Sequence, residues 1–233
     1  MTEKKRTDAR VRKPTPRVTP AKKARANALF EDLLAAYPDA HCELNYRNAF
    51  ELLIAVILSA QTTDVAVNKI TPALFTKFPG PRELAAGSIS EIETLIKTIG
   101  LFRNKAKSIK GASQMIVDEF GGEVPRNMDD LMELPGVARK TANVVMSEAF
   151  GKAVGVVVDT HVQRLSARFG FVPFDEPPPK IEPIWMQLLP AERWGMISHL
   201  LIWHGRRNCS ARGGSCGEHS VCKKYGSECE KCS

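Results

Sequence analysis

No hydrophobic run in this sequence approaches the roughly 20 apolar residues that a membrane-spanning helix needs. The N-terminal segment lacks the apolar stretch of a secretory signal, so we expect an intracellular, cytoplasmic protein. No hairpin turn joins segments of alternating polarity, which argues against an antiparallel sheet. Hydrophobic residues make up 43% and charged residues 25% of the chain, which is ordinary for a globular protein with a substantial core.

Acidic residues are scarce near the N-terminus. Residues 1–26 hold ten of the 33 Lys and Arg residues but only two of the 26 acids, Glu3 and Asp8. This segment therefore carries a net charge of +8 and the remaining chain −1, so a polyanion site on the folded body must be a local patch. We expect residues 1–22 to form a disordered basic tail, which either solubilises the protein or adds non-specific affinity for nucleic acid.

Cysteine is nearly absent before the last 25 residues. Cys42 stands alone, and the other five crowd into the C-terminal segment: Cys209, Cys216, Cys222, Cys229 and Cys232. Because an intracellular protein rarely keeps disulfides, this clustering predicts a metal site. Four thiolates suit either Zn²⁺ or a [4Fe–4S] cluster, and the residues alone do not choose between them.

Helical periodicity dominates the chain, and we predict an all-α fold. The segment "NAFELLIAVILSAQ" is apolar nearly all round, which predicts a buried central helix. The segment "SISEIETLIKTIG" opens with a capping box, Ser88 and Glu91, and should stop at Gly100. The run "AVGVVV" (153–158) is compatible with either a lone strand or buried coil.

The stretch "DLMELPGVARKTANVV" (130–145) has the pattern of a helix-hairpin-helix, with "LPGVA" as the turn. Such a turn exposes backbone N–H groups at the N-terminus of the second helix, where they can bind phosphate, although a plain packing corner has the same pattern. Arg139 and Lys140 fall in the first turn of that helix, where carboxylates are preferred. Farther along, "VVVDTH" brings Asp159 to the start of the next helix, as an N-cap, a cleft carboxylate or both.

These segments, together with "ILSAQTTD", "KTIGLFRNKA" and the C-terminal cysteines, resemble the endonuclease III family of bacterial DNA-repair glycosylases. The resemblance runs from about residue 25 to the C-terminus, with the motifs in the same order and at similar spacing. It implies two helical domains that flank a DNA-binding cleft. We expect a six-helix barrel at residues 43–152, with the hairpin at about 128–150, and an iron–sulfur cluster domain built from residues 23–42 and 153–233.

The resemblance also implies an activity, a partner and a location. A monomeric base-excision-repair enzyme in a bacterial cytoplasm, associated with the nucleoid, would act on double-stranded DNA that contains damaged pyrimidines or abasic sites. Such enzymes flip the damaged nucleotide out of the duplex, attack the sugar C1′ with a lysine amine, and cut the strand by β-elimination from the resulting Schiff base. Lys140 matches this lysine, and the positive helix end and Arg139 would favour its neutral amine. Asp159 matches the catalytic carboxylate, which would stabilise positive charge on the sugar and assist proton transfers.

Four further positions match family residues of the DNA cleft, and His161 is a fifth candidate. Gln61 and Leu101 match the two wedges that fill the gap left by the flipped nucleotide. Ser59 and Asp64 match residues of the lesion pocket. His161 is expected to reach a phosphate or the pocket, or to take part in capping its helix.

The hairpin departs from the family pattern at one position. Gly136, Val137 and Ala138 should donate their backbone N–H groups to the phosphates beside the lesion. The family hairpin usually reads Gly-Val-Gly, so Ala138 replaces the second glycine. We expect Ala138 to be helical already, because Arg139 onward is good helix sequence; a positive φ would instead cost on the order of 1 kcal/mol.

The cysteine spacing departs further from the family pattern Cys-x₆-Cys-x₂-Cys-x₅-Cys. His219 occupies the position of the third cysteine. A three-residue insertion would make the cluster ligands Cys209, Cys216, Cys222 and Cys229, with Cys232 as the alternative fourth ligand. Only the resemblance favours a [4Fe–4S] cluster over zinc. Basic residues near this loop could face DNA: Arg206, Arg207, Arg212, Lys223 and Lys224.

A second hypothesis is a non-enzymatic helix-hairpin-helix DNA-binding module with a structural zinc site. Such a module would keep the hairpin and the cysteines. It has no need of Lys140 and Asp159 together, and borohydride trapping on abasic-site DNA separates the two hypotheses.

Overall fold

The computed structural model describes residues 18–212 and 217–226. Over these ranges the chain forms twelve α-helices, a short 3-10 helix (Ala191–Arg193) and no strand, which confirms the predicted all-α fold. The segment 153–158 is therefore buried coil rather than a strand. Among the same residues, no helix is both long and apolar enough to cross a membrane.

The first helix, α1 (Pro20–Ala36), begins inside the expected basic tail. Thr19 caps it by accepting a hydrogen bond from the Lys22 N–H, and proline suits its first position. The segment expected to be disordered, residues 1–22, thus includes the first residues of a helix. Residues 1–17 lie outside the described part of the chain.

A first hydrophobic core is enclosed by seven helices. These are α2 (Ala49–Leu58), α3 (Asp64–Lys77), α4 (Pro81–Ala86), α5 (Ile89–Ile96), α6 (Phe102–Glu119), α7 (Met128–Glu133) and α8 (Arg139–Phe150). Nine of the ten residues of α2 are buried, which confirms the predicted central helix. Helix α2 packs against α6, which follows the expected wedge Leu101, and against α8, which follows the hairpin turn. Both segments are therefore supported by the same central helix.

A second hydrophobic core combines the N-terminal helix with the C-terminal ones. It is formed by α1, α9 (Thr160–Arg168), α10 (Pro178–Leu188), α11 (Trp194–Arg207) and α12 (Ser220–Tyr225). Trp185, Phe169 and Phe171 are fully buried at its centre. Because the chain leaves this core after α1 and returns to it before α9, α8 belongs to the first core and α9 to the second.

Local signals in the sequence set most helix starts. The capping box of Ser88 and Glu91 is present at the start of α5, as predicted. That helix ends at Ile96 rather than at Gly100. The Ile99 N–H bonds the Ile96 carbonyl, so the chain already turns before the glycine is reached.

Candidate active site and DNA interface

Lys140 and Asp159 come from the N-terminal ends of two different helices and meet in one cleft. Lys140 lies in the first turn of α8, and Asp159 is the residue before α9. Both line an open outer groove and a more enclosed inner cavity behind it. The outer groove is lined by Glu43, Ser59, Gln61, Thr62, Thr63, Asp64, Val65, Asn68, Lys140, Asp159, Thr160, His161 and Arg206.

Asp159 is both a helix cap and a residue of the cleft. Its Oδ1 accepts hydrogen bonds from the backbone N–H groups of His161 (2.8 Å) and Val162 (2.9 Å), and these bonds fix the orientation of the carboxylate. Both bonds use the same oxygen. Oδ2 is therefore available to the cleft that Asp159 lines.

Lys140 and its neighbour Arg139 have different environments. Arg139 forms a bidentate pair with Glu182 of α10, with N···O distances of 2.8 and 3.1 Å. The same carboxylate accepts a hydrogen bond from Asn143 Nδ2 at 2.9 Å. This pairing offsets the Arg139 charge that the sequence suggested as a second positive neighbour of Lys140. The N-terminal end of α8 remains as the positive neighbour of the amine.

A second lysine was not singled out by its sequence context. Lys105 of α6 is 5% exposed, and its ammonium donates a hydrogen bond to Thr62 Oγ1 at 2.5 Å. Burial lowers the pKa of Lys105. Lys105 itself lines neither the outer groove nor the inner cavity, and its ammonium is bonded behind Thr62, which lines the outer groove.

The two expected wedge residues share an unusual backbone. Gln61 has φ of 53° and Leu101 has φ of 58°, and no other non-glycine residue in the described ranges has a positive φ. This left-handed conformation costs an L-residue roughly 1–2 kcal/mol, so the surrounding structure must enforce it at both positions. Gln61 lines the outer groove, whereas Leu101 lies outside both cavities with 56% of its surface exposed.

The two expected pocket residues lie at the entrance of the inner cavity. Ser59 donates its hydroxyl hydrogen to the Val56 carbonyl at 2.8 Å, and Asp64 forms an ion pair with Arg206 at 2.8 Å. Arg206 also pairs with Glu43. Sequence reasoning placed Arg206 only near the cysteine loop, and its pairing across the entrance depends on long-range folding that no local motif signals.

His161 lines the outer groove and is half-buried. Its backbone N–H is the one that Asp159 caps, so the expected part in capping is present at the main chain. Its Nδ1 lies 3.1 Å from an Arg164 nitrogen. Burial, despite the opposing effect of Asp159, lowers the pKa of the imidazole.

The inner cavity contains polar groups that the sequence did not reveal. Glu148 and His199, from α8 and α11, are hydrogen-bonded, with an N···O distance of 2.8 Å. Burial would raise the pKa of Glu148, but the hydrogen bond from His199 lowers it overall. Cys42 lines the same cavity, and burial raises the pKa of its thiol to about 11. The cavity thus offers both charged and neutral polar groups to whatever enters past Lys140.

The hairpin turn leaves some of its N–H groups available. The Val137 N–H donates to the Leu134 carbonyl at 3.0 Å within the turn, which corrects the expectation that it faces a phosphate. In the described part of the chain, the N–H groups of Gly136 and Ala138 donate to no backbone carbonyl. These two groups are therefore available to bind a phosphate beside the start of α8.

Ala138 is not helical, contrary to the expectation from the sequence. It is the N-cap of α8, with extended backbone angles (φ −96°, ψ 170°), and its carbonyl accepts from the Ala142 N–H at 3.0 Å. The chain must leave the turn in an extended conformation before α8 can start. Since φ is negative, alanine adopts this conformation without left-handed strain.

Two of the predicted metal ligands converge in the second core. The ligand atoms of Cys209, Cys222 and His204 all lie within 4.8 Å of one another, and all three residues are buried. The sequence did not suggest His204. Its Nε2 lies 3.1 Å from Cys222 Sγ, and Arg168 Nη1 donates to Cys209 Sγ at 2.9 Å.

The environment of these sulfurs suits metal ligation. The hydrogen bond with Cys222, against the effect of burial and together with Arg168, lowers the pKa of Cys209 to about 6. The thiolate is the form that binds metals, so the converging thiols fit an iron–sulfur cluster or Zn²⁺. The other predicted ligands, Cys216, Cys229 and Cys232, lie outside the described residues.

Most of the basic residues expected around the cysteine loop are engaged elsewhere. Arg207 pairs with Glu43 at 2.7 Å and stacks over the Trp203 ring, and Lys224 pairs with Asp32 at 2.7 Å. With Arg206 at the cavity entrance, three of the five have acidic partners. The expected basic face is therefore largely neutralised by neighbouring carboxylates.

Comparisons with known proteins agree with this geometry. Residues 54–191 match the family model of the HhH-GPD superfamily of base excision DNA repair proteins, which is the class that the hairpin and cleft define. The chain is 52% identical over 198 residues to endonuclease III of Synechocystis, an alignment that covers 85% of this chain and 90% of that protein. The chain therefore belongs to the endonuclease III family.

Solved structures show the same relation. This chain is similar to a non-covalent endonuclease III–DNA complex and to a trapped endonuclease III–DNA covalent intermediate. Each match has a TM-score of 0.85 and 44% sequence identity, and each covers 91% of this chain and 97% of the other.

Proposed function

We propose that this protein removes oxidised pyrimidines from double-stranded DNA and cuts the strand at the resulting abasic site through a Schiff base on Lys140. Its family membership makes the chain a base-excision-repair DNA glycosylase and AP lyase, with DNA as its partner. The observation that carries the residue assignment is the convergence of Lys140 and Asp159 on one cleft that is bordered by the helix-hairpin-helix.

Lys140 is the proposed nucleophile. Its amine attacks the sugar C1′, the bond to the base breaks, and the base leaves with the bonding electrons and takes up a proton. The nitrogen loses a proton and the C1′–O4′ bond opens, with O4′ taking up a proton, which gives the iminium. The iminium makes the C2′ proton acidic, and loss of that proton expels the 3′ phosphate by β-elimination. Lys140 lies in the first turn of α8, so the amine is held at the helix start where the cleft opens.

Asp159 is the proposed partner of the lysine. Its capping bonds fix the carboxylate through Oδ1, so Oδ2 has a defined position in the cleft. From there it can stabilise positive charge on the sugar and transfer protons to and from the reacting atoms. The cap is thus a means of positioning the catalytic group.

The proposed DNA contacts surround these two residues. Gln61 and Leu101 would enter the stack where the nucleotide is flipped out, and the N–H groups of Gly136 and Ala138 would hold the adjacent phosphates. The lesion would enter past Ser59 and Asp64. His161 would line the approach of the DNA backbone, since it lies in the outer groove.

We further propose that the two hydrophobic cores correspond to two domains. Residues 43–152 would form the helical barrel with the hairpin, and residues 23–42 and 153–233 would form a domain that holds a [4Fe–4S] cluster. The division is supported by the cores, which draw on residues 44–146 and on residues 26–40 and 156–225. When bound, the cluster would tie the C-terminal loop to α11 and α12, with Cys209 and Cys222 as two ligands and two of Cys216, Cys229 and Cys232 completing the set.

Borohydride trapping on duplex DNA with a single abasic site tests the nucleophile. Wild-type protein should form a covalent adduct, and Lys140→Ala should form none, because no other lysine lines the cleft within the described residues. Lys105→Ala is the matched control: it removes a buried lysine of lowered pKa that lies outside the cleft, and it should retain trapping. An adduct that persists in Lys140→Ala but is lost in Lys105→Ala would reassign the nucleophile.

The same assay separates the enzyme from a DNA-binding module. Asp159→Asn keeps an acceptor for the helix cap but removes the negative charge, so DNA binding should persist while base removal falls by at least about 100-fold. A wild-type protein that binds abasic DNA without trapping would support the non-enzymatic alternative. Iron content and an absorbance band at about 400 nm distinguish the proposed cluster from zinc.

A further inference from the structure

A group of buried polar rings in the second core plays no part in the proposed reaction. His204 of α11 has no exposed surface, and Tyr37, at the C-terminal end of α1, is 8% exposed. The Tyr37 hydroxyl oxygen lies 2.8 Å from His204 Nδ1, 3.3 Å from His219 Nε2 and 2.6 Å from Asn208 Nδ2. His204 Nε2 in turn lies 3.1 Å from Cys222 Sγ. One hydroxyl thus connects three helix ends to a proposed cluster ligand.

The direction of each hydrogen bond follows from the groups that surround the hydroxyl. The Asn208 amide nitrogen can only donate. His219 is the N-cap of α12, and its Nδ1 accepts from the Val221 N–H at 3.3 Å, so a neutral His219 carries its proton on Nε2 and donates to Tyr37. The Tyr37 oxygen therefore accepts two bonds. Its single proton is left for His204 Nδ1.

This arrangement determines the tautomer of His204. The ring of His204 has no exposed surface, and complete burial favours its neutral form over the charged one. A neutral imidazole has one N–H. Because Nδ1 accepts from Tyr37, the proton of His204 must be on Nε2, which faces Cys222 Sγ. Arg168 provides a corresponding N–H to Cys209 Sγ.

We propose that Tyr37 and His204 are positioning residues that hold an N–H on Cys222 Sγ and thereby raise the reduction potential of the iron–sulfur cluster. An N–H bond to a ligand sulfur withdraws electron density from it and so favours the reduced state of a cluster. The inference rests on the [4Fe–4S] cofactor proposed above. It also gives His219 a role: in place of the family's third cysteine, this chain has a residue that anchors the outer end of the hydrogen-bond chain.

The reduction potential of the iron-loaded protein, measured by voltammetry, tests the proposal. Tyr37→Phe removes the hydroxyl, so the proton of His204 is no longer held on Nε2 beside Cys222. The reduction potential should therefore become more negative than in the wild type. His204→Leu removes the donor itself and should lower the potential at least as far. Tyr225→Phe is the matched control, because its hydroxyl belongs to the same core but donates to Asp32 at 2.6 Å. This control should leave the potential unchanged.

A double variant shows whether Tyr37 acts through His204. If it does, Tyr37→Phe/His204→Leu should have the same potential as His204→Leu alone. A further shift in the double variant, or an unchanged potential in Tyr37→Phe, would overturn the inference while leaving the cofactor in place.

Pulsed EPR of the reduced cluster gives a second readout that does not need His204→Leu to assemble. An exchangeable proton coupled to the cluster should be present in the wild type and in Tyr225→Phe, and weakened in Tyr37→Phe. Equal couplings in all three proteins would contradict the proposal. A wild-type protein that binds no iron would overturn the cofactor assignment and, with it, this inference.

Discussion

The DNA-facing segments and the cysteine region differ in how they treat backbone strain and exposed apolar surface. At the proposed wedges, Gln61 and Leu101 hold a left-handed backbone, and Leu101 exposes more than half of its surface. Around Cys209 and Cys222, by contrast, the described residues from 204 to 225 include no positive φ, and both sulfurs are buried with hydrogen-bond donors directed at them.

The difference follows from when each region meets its ligand. A wedge must be in position before DNA arrives, so its strain and exposure persist in the free protein. Ligands of a resident metal can instead be buried permanently, and buried polar groups are costly unless they are satisfied. Strained backbone and exposed apolar surface therefore indicate contact with a ligand that binds from outside. Buried polar groups whose hydrogen bonds are all made indicate a ligand that stays bound.

The largest effect should come from a cysteine of the buried region. We expect Cys209→Ala to abolish bound iron and the absorbance at about 400 nm, because a missing thiolate leaves the cluster incompletely held. Cys42→Ala is the matched control, since burial raises the pKa of that thiol to about 11 and it lies in the inner cavity. Cys42→Ala should keep its iron. Equal iron in both variants would remove Cys209 from the ligand set.

The next largest effect concerns the hairpin. Gly136 has φ of +83°, and a Cβ there would lie 2.8 Å from Ser108 Cβ and 3.2 Å from Ile57 Cγ2. Gly136→Ala therefore combines left-handed strain with overpacking and should cost about 2–4 kcal/mol. Urea denaturation measures this loss, and affinity for abasic DNA should fall as well because the phosphate-binding turn is displaced.

Gly151→Ala separates the two causes. Gly151 has φ of +63°, but a Cβ there would have no neighbour within 4 Å. Gly151→Ala should therefore lower the free energy of unfolding only by the cost of left-handed strain, about 1 kcal/mol. DNA affinity should stay at the wild-type value. A loss equal to that of Gly136→Ala would mean that packing around the hairpin does not matter.

The smallest effect on stability should come from a wedge. In Leu101→Gly the relief of left-handed strain, about 1 kcal/mol, offsets the greater freedom of the unfolded chain, so stability should stay within about 1 kcal/mol of the wild type. Trapping on abasic DNA should nevertheless decrease, because the wedge is gone. Met132→Gly is the comparison: this exposed residue lies within α7, where glycine should cost about 1 kcal/mol and leave trapping intact. A Leu101→Gly variant with normal trapping would argue against the wedge.

Local patterns in the sequence predicted the elements that local chemistry controls. The apolar run of α2, the capping box at Ser88 and the all-α fold were read correctly because periodicity and caps act over a few residues. The helix start at Arg139 was also correct to within one residue. The conformation of Ala138 was missed because the same short turn can enter a helix with its last residue helical or extended.

The remaining features depend on contacts that are distant in the sequence. Glu182 is 43 residues from Arg139, and Tyr37 is 167 residues from His204, so no local spacing could have predicted either pairing. Arg206 was assigned to the cysteine loop because it lies beside it in the chain, whereas α11 directs it to Asp64. The roles of Lys140 and Asp159 could be hypothesised only because the resemblance to a family supplied a reason for an unusual lysine.

The contact between Glu182 and α8 has a mechanical consequence. Glu182 of α10, in the second core, accepts hydrogen bonds from Arg139 and Asn143 of α8, in the first core. It therefore links the two cores beside the first turn of the helix that carries Lys140. A rotation of one core against the other would have to break three hydrogen bonds at this point. These bonds oppose movement of the start of α8 relative to α10. In the proposed reaction, the DNA would therefore have to bend and open to bring a damaged nucleotide to Lys140.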